Sequence, residues 1–292
     1  MKKILLNVLF VLVFCFTFIQ PSFGIRVGLS VDVKQTYFGT SSDGVIYNAA
    51  NNKPIIKTEK MKSYPIKAYG DSIAVKINNK YYDLETNYIK IKPTSSNDFV
   101  ATKGRWYRGE FVVYNFKKKL TVINVLPIEL YLLGVVPSEM PATWNFEAHK
   151  AQAIAARSYA IANLNKHGTR SYDLLDTPAD QAYGGASSEN KKTSKAVLDT
   201  KGMVLTYKGK VIPAYYCASS GGRTVNSGAA WANDAPYLHS VKAYDDNVKK
   251  NGHGVGMSQH GANNLANKGY SAYEILNYFY KDVKLSKVAS SD

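Results

Sequence analysis

Cysteine is nearly absent. The 292-residue chain has two, Cys15 and Cys217. Two cysteines cannot build the disulfide framework of a small stapled domain. Acidic residues are scarce: 22 Asp plus Glu stand against 37 Lys plus Arg, a formal charge of +15. No HExxH zinc motif, Walker phosphate loop or GxSxG nucleophile elbow occurs. Beyond residue 24 no run stays apolar for the ~18 positions that a membrane helix needs. With 45% hydrophobic and 20% charged residues, the rest has globular composition, too apolar for a disordered chain.

The first 24 residues read as an export signal. Lys2 and Lys3 form a basic start, Ile4 to Ile19 an apolar core, and Pro21 a helix breaker. Ser22-Phe23-Gly24 supplies small residues at the cleavage spacing. An uncleaved membrane anchor is the competing reading. Bulky Phe14 before Cys15 argues against a lipoprotein signal. Removing the segment takes away two lysines and Cys15, so the charge falls to +13 and Cys217 stands alone. A lone cysteine outside the cytoplasm is more often a buried apolar residue than a reactive thiol. The expected location is the periplasm, cell wall or extracellular space.

Residues 25–123 look β-rich. Ser72–Ile77 and Tyr88–Lys92 are strand-like, Asn78-Asn79 marks a hairpin turn, and Lys117-Lys118-Lys119 marks another. Residues 124–285 mix helices and strands, and 286–292 read as a polar tail. Pro127 opens a short helix that Gly134 should end, followed by a constrained segment between Pro137 and Pro141. Residues 145–166 predict an alanine-rich helix, and 202–217 a strand pair. Ser258 caps a helix to about Asn267, and Ser271–Glu274 is a capping box for the last one. Separate runs of strands and helices predict an α+β fold.

Two segments can carry chemistry. Glu139 lies in the apolar stretch between the prolines, where desolvation would raise its pKa toward that of a general acid. A surface glutamate in a turn is the bland alternative. Gly252–Gly261 holds four glycines with His253, Met257, Ser258, Gln259 and His260. It lacks the third glycine of a dinucleotide fingerprint, so a ligand-facing helix start and a structural turn both stay open. Cys217 with His239, His253 or His260 suggests a metal site or thiol dyad only weakly, since no spacing demands either.

The segments Trp106-Tyr107-Arg108-Gly109, VLPIELYLLGVVPSEMP after Asn124, EAHKAQAIAARSYAIAN, YDLLDTPADQAYGG, AYYCASSGGRT, WANDAPYLHSV and GHGVGMSQHGA resemble, in order and spacing, the SpoIID/LytB family. The resemblance covers about 104–285 and more loosely begins at IRVGLS. It implies a peptidoglycan lytic transglycosylase, which cleaves the β-1,4 bond between N-acetylmuramic acid and N-acetylglucosamine and leaves a 1,6-anhydro end. It places the catalytic glutamate on Glu139. It also implies substrate contacts from Arg157, Asp176, Thr177, Gln181, Ser219, Ser220, Gly221, His253, Met257, Ser258 and Gln259. Tyr159, Tyr183 and Trp231 are candidates for stacking on sugar rings.

Cys217 stands where relatives often have histidine, and the ligand set looks incomplete, so no metal and no cofactor is expected. His260 replaces a usual aromatic residue and could still wall a subsite. The expected partner is a glycan strand, and the resemblance alone implies an amidase that strips its peptides first. Membrane contact is expected only through an uncleaved signal anchor. The alternative implied by LytB-type relatives is a non-catalytic wall-binding enhancer of an N-acetylmuramoyl-L-alanine amidase. Nucleic acid is not an expected partner, because no recognisable binding module accompanies the charge.

Overall fold

Alternation in the first hundred residues produces two sheets. Glu110–Phe116 buries every second side chain, as a strand with one core face must. The computed structural model describes residues 24–231 and 234–288, so the signal expectation for residues 1–23 lies outside the described residues. A seven-stranded sheet runs, in spatial order, Leu174–Leu175, Gly24–Val33, Lys119–Pro127, Glu110–Phe116, Tyr88–Pro93, Gly44–Asn48 and Pro54–Thr58. A six-stranded sheet runs Arg105–Tyr107, Val100–Thr102, Gln35–Thr40, Tyr64–Tyr69, Ser72–Ile77 and Lys80–Asp83. Both expected hairpins form. Ile77 pairs with Lys80 around Asn78 and Asn79, and Phe116 with Lys119 around Lys117 and Lys118. All four turn residues have positive φ, the condition for a type I′ turn.

The division at residue 123 cuts through the strand Lys119–Pro127, which joins the β-rich part to the first helix. One apolar core contains Ile25, Ile89 and Phe111 together with Tyr131, Ala156 and Tyr183, so it spans that division. The fold is α+β, with sheets and helices in separate runs.

Helix α1 spans Ile128–Glu139. It runs through Gly134, contrary to the expected stop there. A Cβ at Gly134 would sit 2.7 Å from the Tyr183 ring and 2.8 Å from the Gly185 carbonyl, so glycine permits close packing and does not terminate the helix. Pro137 lies inside α1, near its end, where few hydrogen bonds remain to be lost.

Helix α2 spans Phe146–Ala162 and ends short of the expected 166. Asn145 caps it by accepting from the Glu147 amide. It is buried nearly all round: Ala153, Ala156 and Ala160 face the first core, while Ala148, Ala151 and Ala155 face a second. Its alanines let both layers approach closely. The second core adds Leu265, Ile275 and Phe279 from α5 (Gln259–Asn267) and α6 (Ala272–Phe279). Both predicted caps are present, Ser258 for α5 and the Ser271/Glu274 box for α6. Helices α3 (Lys191–Asp199) and α4 (Ser227–Ala230) complete the set among the described residues.

Two expectations near the C-terminal end need correction. The expected strand pair is short: on that side Met203–Tyr207 is met by the two residues Lys210–Val211, because Pro213 has no N–H to continue a ladder. Tyr216–Cys217 instead joins Met257–Ser258 in parallel. Ser286 and Lys287 do not belong to a free tail, since Lys284–Lys287 pairs with Met203–Thr206.

Candidate active site

Glu139 is the last residue of α1. Its carboxylate Oε1 accepts from the Ala182 amide at 2.7 Å and from the Tyr216 hydroxyl at 3.4 Å. Oε2 accepts from Gln259 Nε2 at 3.0 Å. Burial raises the Glu139 pKa above the ordinary carboxylate value, and these three donors recover only part of the shift. The negative end of the α1 dipole works in the same direction. The group therefore keeps its proton longer in the folded chain than in the unfolded one. Stability linked to Glu139 must then fall as pH rises from its unfolded pKa through the raised folded one.

Each donor has a local reason for its place. Gln259 opens α5, so the Ser258 cap fixes it. Tyr216 sits in the parallel pair with Met257. Gln181 Nε2 donates to the Tyr216 hydroxyl at 2.8 Å and to the Ala156 carbonyl at 3.2 Å, while Tyr131 donates to Gln181 Oε1 at 3.3 Å. With Gln181 filling its acceptor side, the Tyr216 hydroxyl turns its proton toward Glu139.

Glu139 opens into a cleft of about 600 Å³ lined also by Gln259, Tyr216, Tyr159, Trp231 and His253. Trp231 packs against Tyr215 at 4.5 Å and His253 at 5.1 Å between ring centroids, forming an aromatic wall. A second recess of about 720 Å³ shares Ser138, Pro178 and Ala182 with the first. Lys103, Arg105, Asp176 and Thr177 line that second part. Together they make an elongated groove with Glu139 along it.

Asp180 is the other carboxylate on the cleft wall. Burial pushes its pKa up, but hydrogen bonds from Lys166, the Leu175 amide and His167 outweigh it and hold Asp180 below the ordinary range. Its side chain is 1% exposed and already paired.

Of the expected contacts, His253 and Gln259 share the cleft with Glu139, and Asp176 and Thr177 line its extension. Gln181 stands one layer behind Tyr216. The others do not reach the groove. Arg157 is fully buried, paired through Nε and Nη2 with Glu129 at 2.9 and 2.7 Å. An arginine in the middle of α2 points between the two cores, and only Glu129 with nearby carbonyls can satisfy it there. Met257 is core.

The Ser219-Ser220-Gly221 turn offers its donors elsewhere. Ser219 donates to the Lys249 carbonyl at 2.6 Å. The Ser220 and Gly222 amides and the Ser258 hydroxyl all donate to buried Asp245, at 2.6, 2.7 and 2.6 Å. Asp245 thus ties this turn to the start of α5, and so to Gln259. Replacing it with Asn should cost about 2–3 kcal/mol, because hydrogen bonds to a charged acceptor are the strong ones. The denaturant midpoint would move accordingly, and an unchanged midpoint would deny Asp245 this role.

Tyr183 is also core, its hydroxyl donating to Asn124 Oδ1 at 2.9 Å. The His260 ring packs on Trp144 at 4.7 Å and is absent from the cleft wall. Burial pushes the Cys217 thiol up, away from the thiolate that a nucleophile needs. Among the described residues no group of three His, Cys, Asp or Glu side chains is arranged to hold a metal ion.

Sequence reasoning missed Tyr216, the Ala182 amide and Asp245. Tyr216 is one of two adjacent tyrosines, and only the parallel pairing tells which one meets Glu139. A backbone amide leaves no trace in composition.

Residues 116–207 match the SpoIID family model, described as stage II sporulation protein. The amidase enhancer of Bacillus subtilis (strain 168) is 38% identical over 61% of this chain and 26% of its own length. A stage II sporulation protein D from Bacillus amyloliquefaciens is 29% identical over 58% of this chain and 76% of its own. That of Bacillus subtilis (strain 168) is 38% identical over 41% of this chain and 40% of its own. The chain thus spans about a quarter of the amidase enhancer.

Proposed function

We infer, from the premise that this chain belongs to the SpoIID family, that it is an exported lytic transglycosylase acting on peptidoglycan glycan strands. The observation that carries the reading is the state of Glu139: a half-buried carboxylic acid of raised pKa, held by three donors on the wall of a cleft that a second recess extends. Glycoside hydrolysis ordinarily uses two carboxylates, one as acid and one as base or nucleophile. Here the second carboxylate on the cleft wall, Asp180, is sealed and ion-paired. A reaction that needs one free carboxyl group fits this arrangement better.

Glu139 donates its proton to the glycosidic oxygen as the bond to the anomeric carbon breaks. The leaving sugar departs as an alcohol. The C6 hydroxyl of the same muramic residue then attacks the anomeric carbon and passes its proton to Glu139, which regains its starting state. No water is added. Because the nucleophile is part of the substrate ring, its approach costs little entropy. Oε1 holds two donors, so Oε2, with only Gln259, is the oxygen that carries the proton. Trp231, on the cleft wall, supplies aromatic surface for the sugars, while Tyr159 is largely buried in the core.

The rate should fall as pH rises through the raised pKa of Glu139, since only the protonated form acts. A pH profile of kcat/KM on soluble glycan reads this limb. A rate that holds steady from acid through alkaline pH would remove Glu139 from the acid role.

The similarity to an amidase enhancer supports a second reading, a wall-binding partner of an amidase that uses the groove without cleavage. In that reading binding survives the loss of the Glu139 carboxyl and no product forms. The signal-like start supports export in both readings.

A further inference from the structure

A basic and aromatic patch lies away from the groove, and nothing in the chemistry above uses it. Tyr244 and Tyr278 pack with ring centroids 5.6 Å apart. Lys242 and Lys268 place their ammonium groups 5.3 and 4.8 Å from the Tyr244 ring centre, and Lys281 lies 5.4 Å from that of Tyr278. Arg223 bridges to Lys242 through the backbone and acts electrostatically on the Tyr278 hydroxyl. Four cations from four segments therefore surround two rings. None of these residues lines the cleft or its extension.

The patch is built, not merely exposed. Tyr244 has φ +56°, a strained conformation for a bulky residue. Asn264 Nδ2 donates to its carbonyl at 2.8 Å, and the Tyr278 hydroxyl donates to the Lys242 carbonyl at 2.8 Å. These bonds hold the strained turn and fix the cations around it.

Among the described residues none of the four cations forms an ion pair with a carboxylate. Nearby acids are engaged or offset. Asp245 is buried under three donors, and Glu274 closes the capping box. Asp246 lies against Gly222, and Asp282 follows Lys281 in a positive-φ turn.

We propose that this patch binds a phosphodiester-bearing polymer of the cell wall and holds the protein there while the groove engages glycan. The proposal rests on the reading that the wall is the site of action. Three lysines act as point charges suited to phosphate, and the arginine adds a planar fork. A protein partner would need a desolvated apolar centre, and here ammonium groups sit over the tyrosine rings. A membrane surface would need an apolar side chain to insert, and the residues that make up the patch are tyrosine, lysine and arginine.

The test uses chains carrying Glu139→Gln, so that walls stay intact during binding. One parent and one K242Q/K268Q/K281Q derivative are titrated against sacculi bearing the phosphodiester polymer and against the same sacculi after hydrofluoric acid has stripped it. Equal thermal midpoints certify that both fold. The derivative should bind intact walls on the order of tenfold more weakly, and the gap should close on stripped sacculi and at high salt. Equal binding to intact walls, an equal loss on stripped sacculi, or a parent that prefers anionic phospholipid vesicles to walls would each overturn the proposal. Cleavage plays no part in the readout, so failure of the lytic reading would leave this result unchanged.

Discussion

Glu139→Gln is expected to slow 1,6-anhydro product formation by about a thousandfold or more, the scale of a lost general acid, while the protein folds at least as well as the parent. Gln keeps the shape and can still accept from the Ala182 amide, but it has no proton to give. The stability half of the expectation follows from the raised pKa. Burial opposes the charged form, so above that pKa the native chain carries an ionised group that it would hold better if neutral. Removing the charge relieves that strain. Loss of activity with retained or increased thermal stability at neutral pH is the signature of a group kept for chemistry. Loss of both would make Glu139 a structural acid and return the site to the enhancer reading.

Arg157→Met is expected to have the largest effect on stability, about 3–5 kcal/mol, the cost of leaving one partner of a buried ion pair alone. The guanidinium is sealed between the cores and also donates to the Met203 and Val197 carbonyls at 3.1 and 3.3 Å. Without it Glu129 loses both side-chain bonds to the guanidinium and retains the bond from the Gly202 amide, at 3.0 Å. For a chain of this size the thermal midpoint should drop by about 10 °C or more. Adding Glu129→Gln to Arg157→Met should recover much of the loss, since the uncompensated charge is then gone. An arginine that bound substrate would behave otherwise: KM would rise, the midpoint would stay, and the second substitution would rescue nothing.

The contrast between Glu139 and Arg157 shows what sequence can reveal here. Both belong to motifs of the resemblance, which implies a place at the substrate for each. The prolines and apolar neighbours of Glu139 gave a physical reason for a perturbed acid, and its pKa is raised by burial. Arg157 had only its motif position. A helix buried on all sides hides its charged residue from any argument based on one amphipathic face. The caps at Ser258 and Ser271 were legible because capping is local chemistry. Gly134 misled because a mid-helix glycine that admits Tyr183 looks, in sequence, like a helix end. The Ser219–Gly221 turn lies in a motif of the resemblance, yet its backbone donors turn inward. Its acceptor, Asp245, lies more than twenty residues away and faces inward, so no local pattern could announce it.

The central claim is that one carboxylic acid, Glu139, breaks the glycan without adding water. Mass spectrometry of soluble glycan strands, digested by the parent protein and by Glu139→Gln, tests this most directly. The parent should release fragments one water lighter than hydrolysis products, ending in a 1,6-anhydro sugar, and the variant should release none. Hydrated ends from the parent, or undiminished anhydro ends from the variant, would contradict it.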